Sequence, residues 1–151
     1  MSALMEVRIP LEIQAARLAA ERADDTAIRR IHATNNRMAT SQHDTELYPK
    51  LDTEFHADIA SATNNHILSL MIDSIRAELM TVMVAVRDYR EAHGLVGQEQ
   101  TQHEEIARAI LGRSPDEAAD AMQRHLTTSL VLVHHVEDSM ADLPIPDLRR
   151  F

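Results

Sequence analysis

Four residues of this 151-residue chain have the side chains and the spacing to hold a metal ion. Asp52 and His56 are four positions apart, so on a helix both side chains leave the same face about one turn apart. His103 and His125 lie in two later segments, among apolar neighbours that predict inward-facing positions. One carboxylate and three imidazoles suit Zn, Ni, Co or Mn and leave coordination positions open for a ligand. Spacing alone also allows surface residues or ordinary core histidines, because the chain has nine histidines.

Composition narrows the function classes. The chain has no cysteine, which excludes thiolate metal sites and a cysteine nucleophile. Its 15 Lys and Arg against 24 Asp and Glu give a net charge of −9, and Lys50 is the only lysine, which argues against a nucleic-acid-binding surface. The sequence shows neither a leader-like start nor an apolar run long enough to cross a membrane. We therefore expect a cytoplasmic protein that contacts no membrane.

The elements that must position these residues are predicted to be helices. Glycine is rare, aromatic residues are 3% of the chain, and apolar residues recur at three and four positions. These patterns predict six helices, over about 6–22, 26–40, 44–62, 66–90, 99–111 and 115–138, in an all-α antiparallel bundle. The apolar stripe of the second helix is thin, so we expect that helix to be peripheral. Residues 1–140 form the predicted domain, and 141–151 a predicted extended tail because of Pro144 and Pro146.

Local signals set the expected helix ends. Pro10 is expected in the opening turn of the first helix, where its missing N–H is tolerated. Asp24 or Asp25 is expected to cap the second helix, and Asn65 the fourth. Ser114–Glu117 is a capping-box pattern that predicts the start of the sixth helix. His103 is then expected in the first turn of the fifth helix.

Several segments resemble the ligand-binding domain of FadR-type regulators in the GntR family, known as the FCD domain. The segment 51–60 is similar to the D-x-x-F-H-x-x-(I/L)-A helix of that family, although the following turn has Asn64 and His66 in place of Gly and Pro. Three further segments, 8–20, 103–110 and 118–126, match other family motifs in the same order and spacing. The resemblance covers about residues 6 to 135, and it implies the same all-helical bundle.

The resemblance also implies a metal-dependent effector site. In that family the matching aspartate and histidines bind a divalent metal, often zinc or nickel, at the floor of a pocket for small organic acids. The matching positions in this chain are Asp52, His56, His103 and His125. Arg8 matches an arginine that faces the pocket and could clamp a carboxylate.

A residue outside the metal-binding set is expected to support it. The resemblance gives Glu12 the task of orienting an arginine or a histidine ring. Arg76 or Arg87 could also face the pocket, but the sequence does not decide between them.

The implied role is that of an effector-binding and dimerisation domain. The regulators of that family carry a winged helix-turn-helix before this domain, whereas Met1 lies only seven residues before Arg8. We therefore expect that the protein contacts DNA only through an N-terminal domain that is missing here. The resemblance also implies a homodimer, and a regulatory domain rather than an enzyme.

Two other functions compete with this interpretation. One is a metal-free helical module that dimerises through the fourth helix, with Met71, Met80 and Met83 as contacts. The other is a metal-dependent hydrolase or lyase using Glu104 or Glu105 as a base, although both turn away from His103 on a helix.

Overall fold

The computed structural model describes residues 2–141 as a bundle of six helices. The predicted number of helices is confirmed within that part of the chain, where no strand occurs. The predicted tail after Ala141 lies outside the described residues. The helices are α1 (Ser2–Arg22), α2 (Asp25–Thr40), α3 (Leu47–Ala62), α4 (His66–Ala92), α5 (Val96–Leu111) and α6 (Pro115–Ala141).

Side-chain caps begin two of the helices as predicted. Asp24 accepts a hydrogen bond from the Ala27 N–H before α2, and Asn65 accepts one from the Leu68 N–H before α4. Each cap satisfies a backbone donor that has no partner inside its helix. At the start of α6, the Ser114 hydroxyl donates to the Gly112 carbonyl.

Three of the predicted helix starts differ from the structure by three or four residues, and the third helix begins at Leu47 rather than near Asp44. Helix α1 begins at Ser2, so Pro10 lies inside the helix rather than in its opening turn. Pro10 is exposed there, and the carbonyl that its ring leaves without a helical donor can be satisfied by water. Helix α5 begins at Val96 and includes Gly97, which places His103 in its third turn rather than its first. The loop between α4 and α5 is shorter than expected, because α4 ends at Ala92 and α5 begins at Val96.

The helices pack around two clusters of buried apolar side chains. Helix α1 lies along α6, and α2 packs against α3 and α5. The expectation that α2 is peripheral is wrong, because Ile31 and Met38 are fully buried in the main core. A second apolar cluster joins the start of α1 to the later halves of α4 and α6. None of the described helices is apolar enough over its length to cross a membrane.

Candidate metal centre

Helix α3 positions the first two residues of the site. Asp52 and His56 lie on one row of the helix, one turn apart, as their spacing predicts. The neighbouring row places Leu51, Phe55 and Ile59 in the core, so the helix is held in one rotation about its axis. His56 is 1% exposed and therefore faces the bundle interior rather than water.

Helices α5 and α6 bring the other two histidines to the same point. His103 and His125 are both buried, and their ring centroids are 4.4 Å apart. One potential ligand atom from each of Asp52, His56, His103 and His125 lies within 4.8 Å of the others. Two atoms bound about 2.1 Å from one ion lie between about 3.0 and 4.2 Å apart, so the four residues must draw closer together to share an ion.

Each of the three histidines is held through Nδ1 by a different side chain. The His56 Nδ1 meets the Glu12 carboxylate, and the His103 Nδ1 lies 3.2 Å from the Tyr48 hydroxyl. The His125 Nδ1 lies 3.3 Å from the Gln102 Oε1. All three rings therefore turn Nε2 away from these partners, which is the arrangement that histidine ligands of metals usually have.

The partners of Tyr48 decide which nitrogen of His103 carries the proton. Gln100 donates from Nε2 to Asn35 and to the carboxylate of Glu104, so its Oε1 must accept the hydrogen bond from the Tyr48 hydroxyl. The Tyr48 oxygen can then only accept from the Nδ1–H of His103. This leaves the Nε2 of His103 with a bare lone pair.

The same tautomer follows for the other two rings. The Glu12 carboxylate can only accept, so His56 donates to it from Nδ1. Gln102 donates from Nε2 to Thr128, which leaves its Oε1 to accept from the Nδ1–H of His125. The Nε2 atoms of all three rings are therefore acceptors.

These acceptors converge without a donor. Among the described residues, the buried Nε2 atoms of His56 and His103 have no hydrogen-bond partner. They face the Asp52 Oδ1 at 3.8 Å and 3.2 Å, so lone pairs of nitrogen and oxygen point at one another. Buried polar atoms are normally satisfied, and these atoms call for a cation between them. The donor set and its geometry fit a divalent metal.

Glu12 connects this site to two arginines. Its Oε1 accepts from the Arg8 Nε at 2.5 Å and lies 3.5 Å from the Arg76 Nη1. Burial of Glu12 alone would raise its pKa, but Arg8, His56 and Arg76 outweigh burial and hold the pKa well below its ordinary value. Glu12 is therefore ionised, and its carboxylate contacts both the His56 ring and the Arg8 guanidinium.

The local electrostatics favour the metal-binding forms of the ligands. Burial lowers the pKa of His56 to about 4 and also lowers the pKa of His125, so both rings are neutral near pH 7. Burial opposes ionisation of Asp52, whereas the Arg76 guanidinium, 3.5 Å from its Oδ2, lowers the pKa of Asp52 and favours the carboxylate. Neutral imidazoles and an ionised carboxylate are the forms that bind metal.

A cavity of about 640 Å³, including its open mouth, lies beside these ligands. Asp52 and His125 line it together with Arg8 and Arg76, and the Arg76 guanidinium lies 3.5 Å from the Asp52 carboxylate. Arg87 lines the cavity as well. Both arginines that the sequence offered as alternatives, Arg76 and Arg87, therefore face the cavity. A few charged groups set among apolar side chains are typical of a site for a small molecule.

Sequence reasoning missed the residues that orient His103 and His125. Tyr48 precedes Asp52 by one helical turn, and this spacing was the only available signal for it. Gln102 is the residue before His103 but orients His125 on α6, a relation that only the packing of α5 against α6 creates. Glu104 is exposed and Glu105 pairs with Arg124, so neither lines the cavity.

Known proteins resemble this chain in both sequence and structure. The family model of the FCD domain matches residues 3–128. The HTH-type transcriptional regulator LutR of Bacillus subtilis (strain 168) is 32% identical over 126 residues, covering 82% of this chain and 58% of LutR. The Glc operon transcriptional activator of Escherichia coli (strain K12) is 31% identical over 143 residues, covering 89% of this chain and 55% of the activator.

A further relative and two solved structures agree. The HTH-type transcriptional repressor NanR of Salmonella newport is 31% identical over 123 residues, covering 82% of this chain and 47% of NanR. The chain thus spans about half the length of the curated relatives it matches. A structure of Streptococcus agalactiae GntR superposes with a TM-score of 0.71 at 25% identity, covering 85% of this chain and 57% of that one. E. coli McbR/YncC gives 0.77 at 12% identity over 88% of this chain and 63% of that one, a likeness of fold alone.

Proposed function

This chain belongs to the FCD domain family of GntR-type transcriptional regulators, and we propose on that premise that it is a metal-dependent effector-binding domain. Asp52, His56, His103 and His125 hold one divalent ion, zinc or nickel, and the adjoining cavity takes a small organic acid. The three relatives described above are named as regulators of transcription, in agreement with the expectation that the chain is not an enzyme.

The observation that carries the metal proposal is the convergence of acceptors. Three imidazole rings present Nε2, and the Asp52 carboxylate presents Oδ1, to one point. Each ring is fixed through Nδ1, so the rings cannot turn to relieve the repulsion. A divalent ion supplies the missing positive charge, and it offers an anionic ligand a Lewis-acidic partner.

Arg8 is the proposed clamp for the acid. The Arg8 Nε donates to Glu12. Within the described residues, the Arg8 Nη1 contacts only the sulfur atoms of Met5 and Met83, at 4.0 Å and 3.7 Å. Sulfur is a weak acceptor, so the outer edge of this buried guanidinium remains available to a carboxylate in the cavity. A guanidinium binds a carboxylate through two parallel hydrogen bonds.

Binding at this cavity would connect most of the bundle. The metal ligands lie on α3, α5 and α6, whereas Arg8 and Arg76 lie on α1 and α4. An acid held between the two sets favours the arrangement of helices in which both reach it. In the proposed regulator, this bias passes to a DNA-binding domain outside the present sequence, in the cytoplasm.

Helix α4 supplies the proposed contact with a second copy. Ile67, Leu70 and Met71 are 66%, 49% and 46% exposed and lie within about one turn of each other. Adjacent exposed apolar side chains are typical of an interface. Light scattering of the double variant Ile67→Lys with Met71→Lys should give a monomer, whereas Val131→Lys on α6 should stay dimeric. A wild-type monomer at high concentration would contradict the dimer.

The test of the metal-dependent function combines metal removal with ligand addition. In a screen of small carboxylates, at least one should raise the melting temperature of the metal-loaded protein and have no effect on chelator-treated protein. Arg8→Gln should abolish the rise while retaining the metal, and His125→Ala should weaken both. If the protein takes up no metal and its stability is insensitive to chelator, the metal-free dimerisation module is the better account.

A further inference from the structure

The cavity-lining residues of α4 form a row whose middle is apolar. They recur at three and four positions along the helix and so share one face of it. Arg76 stands at the end of the row near Asp52. Arg87 and Arg90 stand at the other end. The lining residues of α4 between the arginines, here called the apolar segment, are Leu79, Met80, Met83 and Val84.

The arginines at the far end of the row are already neutralised by protein groups. Arg87 donates to Glu91 at 2.6 Å and to Glu99 at 3.3 Å. Arg87 also donates to the Gln42 carbonyl, and Arg90 donates to Glu99. Among the described residues the Arg87 Nε has no hydrogen-bond partner, but protein atoms enclose it, so a ligand in the cavity cannot reach it. This end of the cavity therefore does not call for an anionic group on the ligand.

The hydroxyl groups of the lining also have partners within the protein. The Tyr48 hydroxyl contacts the His103 ring, as described above, and the Thr53 hydroxyl donates at 3.0 Å to the backbone carbonyl one turn before it. The Ser129 hydroxyl accepts from Arg90 at 3.0 Å. A polar group of a ligand buried here would compete with these hydrogen bonds, whereas an apolar group disturbs none of them.

The apolar segment begins at the Arg8 clamp and reaches the protein surface. The Arg8 Nη1 lies 3.7 Å from the Met83 sulfur, so a carboxylate bound to Arg8 lies next to this segment. Leu79 is fully buried, whereas Met80 and Val84 are exposed at the cavity mouth. A ligand that covers these side chains removes apolar surface from water, which stabilises the complex in proportion to the area covered.

We propose that the effector is a monocarboxylic acid with an apolar chain. Its carboxylate binds between Arg8 and the metal ligands, and its chain lies along Leu79 and Met83 toward the mouth at Met80 and Val84. This inference rests on the proposed function, because it names the class of acid that the metal-dependent site takes. An acid with a hydroxyl or a second carboxylate at the far end of its chain would place that polar group against the apolar segment.

The test is a chain-length series measured by calorimetry on metal-loaded protein. The probes are the straight-chain acids from acetate to octanoate, and each longer acid is compared with the ω-hydroxy acid of equal chain length. Affinity should rise about fourfold for each methylene that becomes buried, until the chain reaches water at the mouth. An ω-hydroxy acid whose chain ends inside the cavity should bind at least about fivefold more weakly than the plain acid, because it buries a hydroxyl against apolar side chains.

Variants at the mouth locate the chain. The double variant Met80→Gln with Val84→Thr introduces polar atoms of similar size at exposed positions, so the fold should tolerate it. It should bind acetate like the wild type, but the gain of the best acid over acetate should fall about fourfold. Val131→Thr makes a matched change on α6 outside the cavity lining and should keep the full gain. Melting temperatures check that the variants fold, and the wild-type series decides the question if the double variant does not.

The inference and the proposed function fail in different ways. If acids bind only with metal but no longer acid exceeds acetate, or if the ω-hydroxy acids bind as tightly as the plain acids, the apolar chain is wrong and the metal-dependent site stands. The same holds if the double variant keeps the full gain. A gain that persists after chelation or in Arg8→Gln comes from adsorption elsewhere and also contradicts the assignment. If no carboxylate binds to metal-loaded protein, the proposed function and this inference are both overturned.

Discussion

The substitution Tyr48→Phe isolates how the protein holds His103. Tyr48 is 1% exposed, and its hydroxyl lies 3.2 Å from both the Gln100 Oε1 and the His103 Nδ1. Phenylalanine keeps the ring, and with it the position of the Arg87 guanidinium 4.3 Å from the ring centroid. The only group removed is the oxygen that accepts from the His103 Nδ1–H.

The size of the effect follows from what that oxygen does. Without it a buried N–H loses its acceptor, which costs about 1–3 kcal/mol. The ring can then turn, and its Nε2 no longer points steadily at the other ligands. Loss of such an orienting partner typically weakens metal binding about 10- to 100-fold. We expect a loss in that range, together with a modest fall in the free energy of unfolding.

The assay is a competition titration of zinc against a chromophoric chelator. The matched control is Tyr89→Phe, since Tyr89 is the only other tyrosine of the chain and its hydroxyl has no hydrogen bond to any residue that the structure describes. In a His103→Ala background, Tyr48→Phe should have no further effect on zinc affinity, because the ring it orients is gone. The reasoning is refuted if Tyr48→Phe binds zinc like the wild type, or if its effect persists without His103.

Three further perturbations have defined outcomes. Glu12→Gln should lower the free energy of unfolding by about 3 kcal/mol or more, since it removes the charge that balances buried arginines, whereas exposed Glu21→Gln should be neutral in urea denaturation. Asp24→Ala should lower the free energy of unfolding by about 1 kcal/mol, because it removes the cap of α2. A melting temperature equal to that of the wild type would contradict this. Burial lowers the pKa of His56 from 6.5 to about 4, so the unfolded chain protonates first. The metal-free protein should therefore lose roughly 3 kcal/mol between about pH 6.5 and 4, and a flat profile would contradict this.

The fold could be predicted because its signals are local. Apolar spacing and caps such as Asp24 and Asn65 act within a few residues, and both caps form as expected. Pro10 was misplaced because an exposed proline can remain inside a helix that packing stabilises on its opposite face. The start of α5 was missed because Gly97 reads as a loop residue, although it lies inside the helix.

The candidate site was predictable in its ligands but not in their supports. Spacing places Asp52 and His56 on one helix face, and apolar neighbours predicted that His103 and His125 face inward. The structure brings all four together. Glu12 was also anticipated as an orienting residue. Tyr48, Gln100 and Gln102 act across helix interfaces, and no spacing along one helix reveals such partners. The unpartnered Nε of Arg87 likewise depends on packing.

Metal content per chain tests the central claim most directly. The protein should be purified without a chelator or a histidine tag and measured by elemental analysis, beside His56→Ala and the surface variant His134→Ala. The account predicts about one divalent ion per chain in the wild type and in His134→Ala, and a clear loss in His56→Ala. A wild type that holds no divalent ion, even after reconstitution with zinc or nickel, would contradict it.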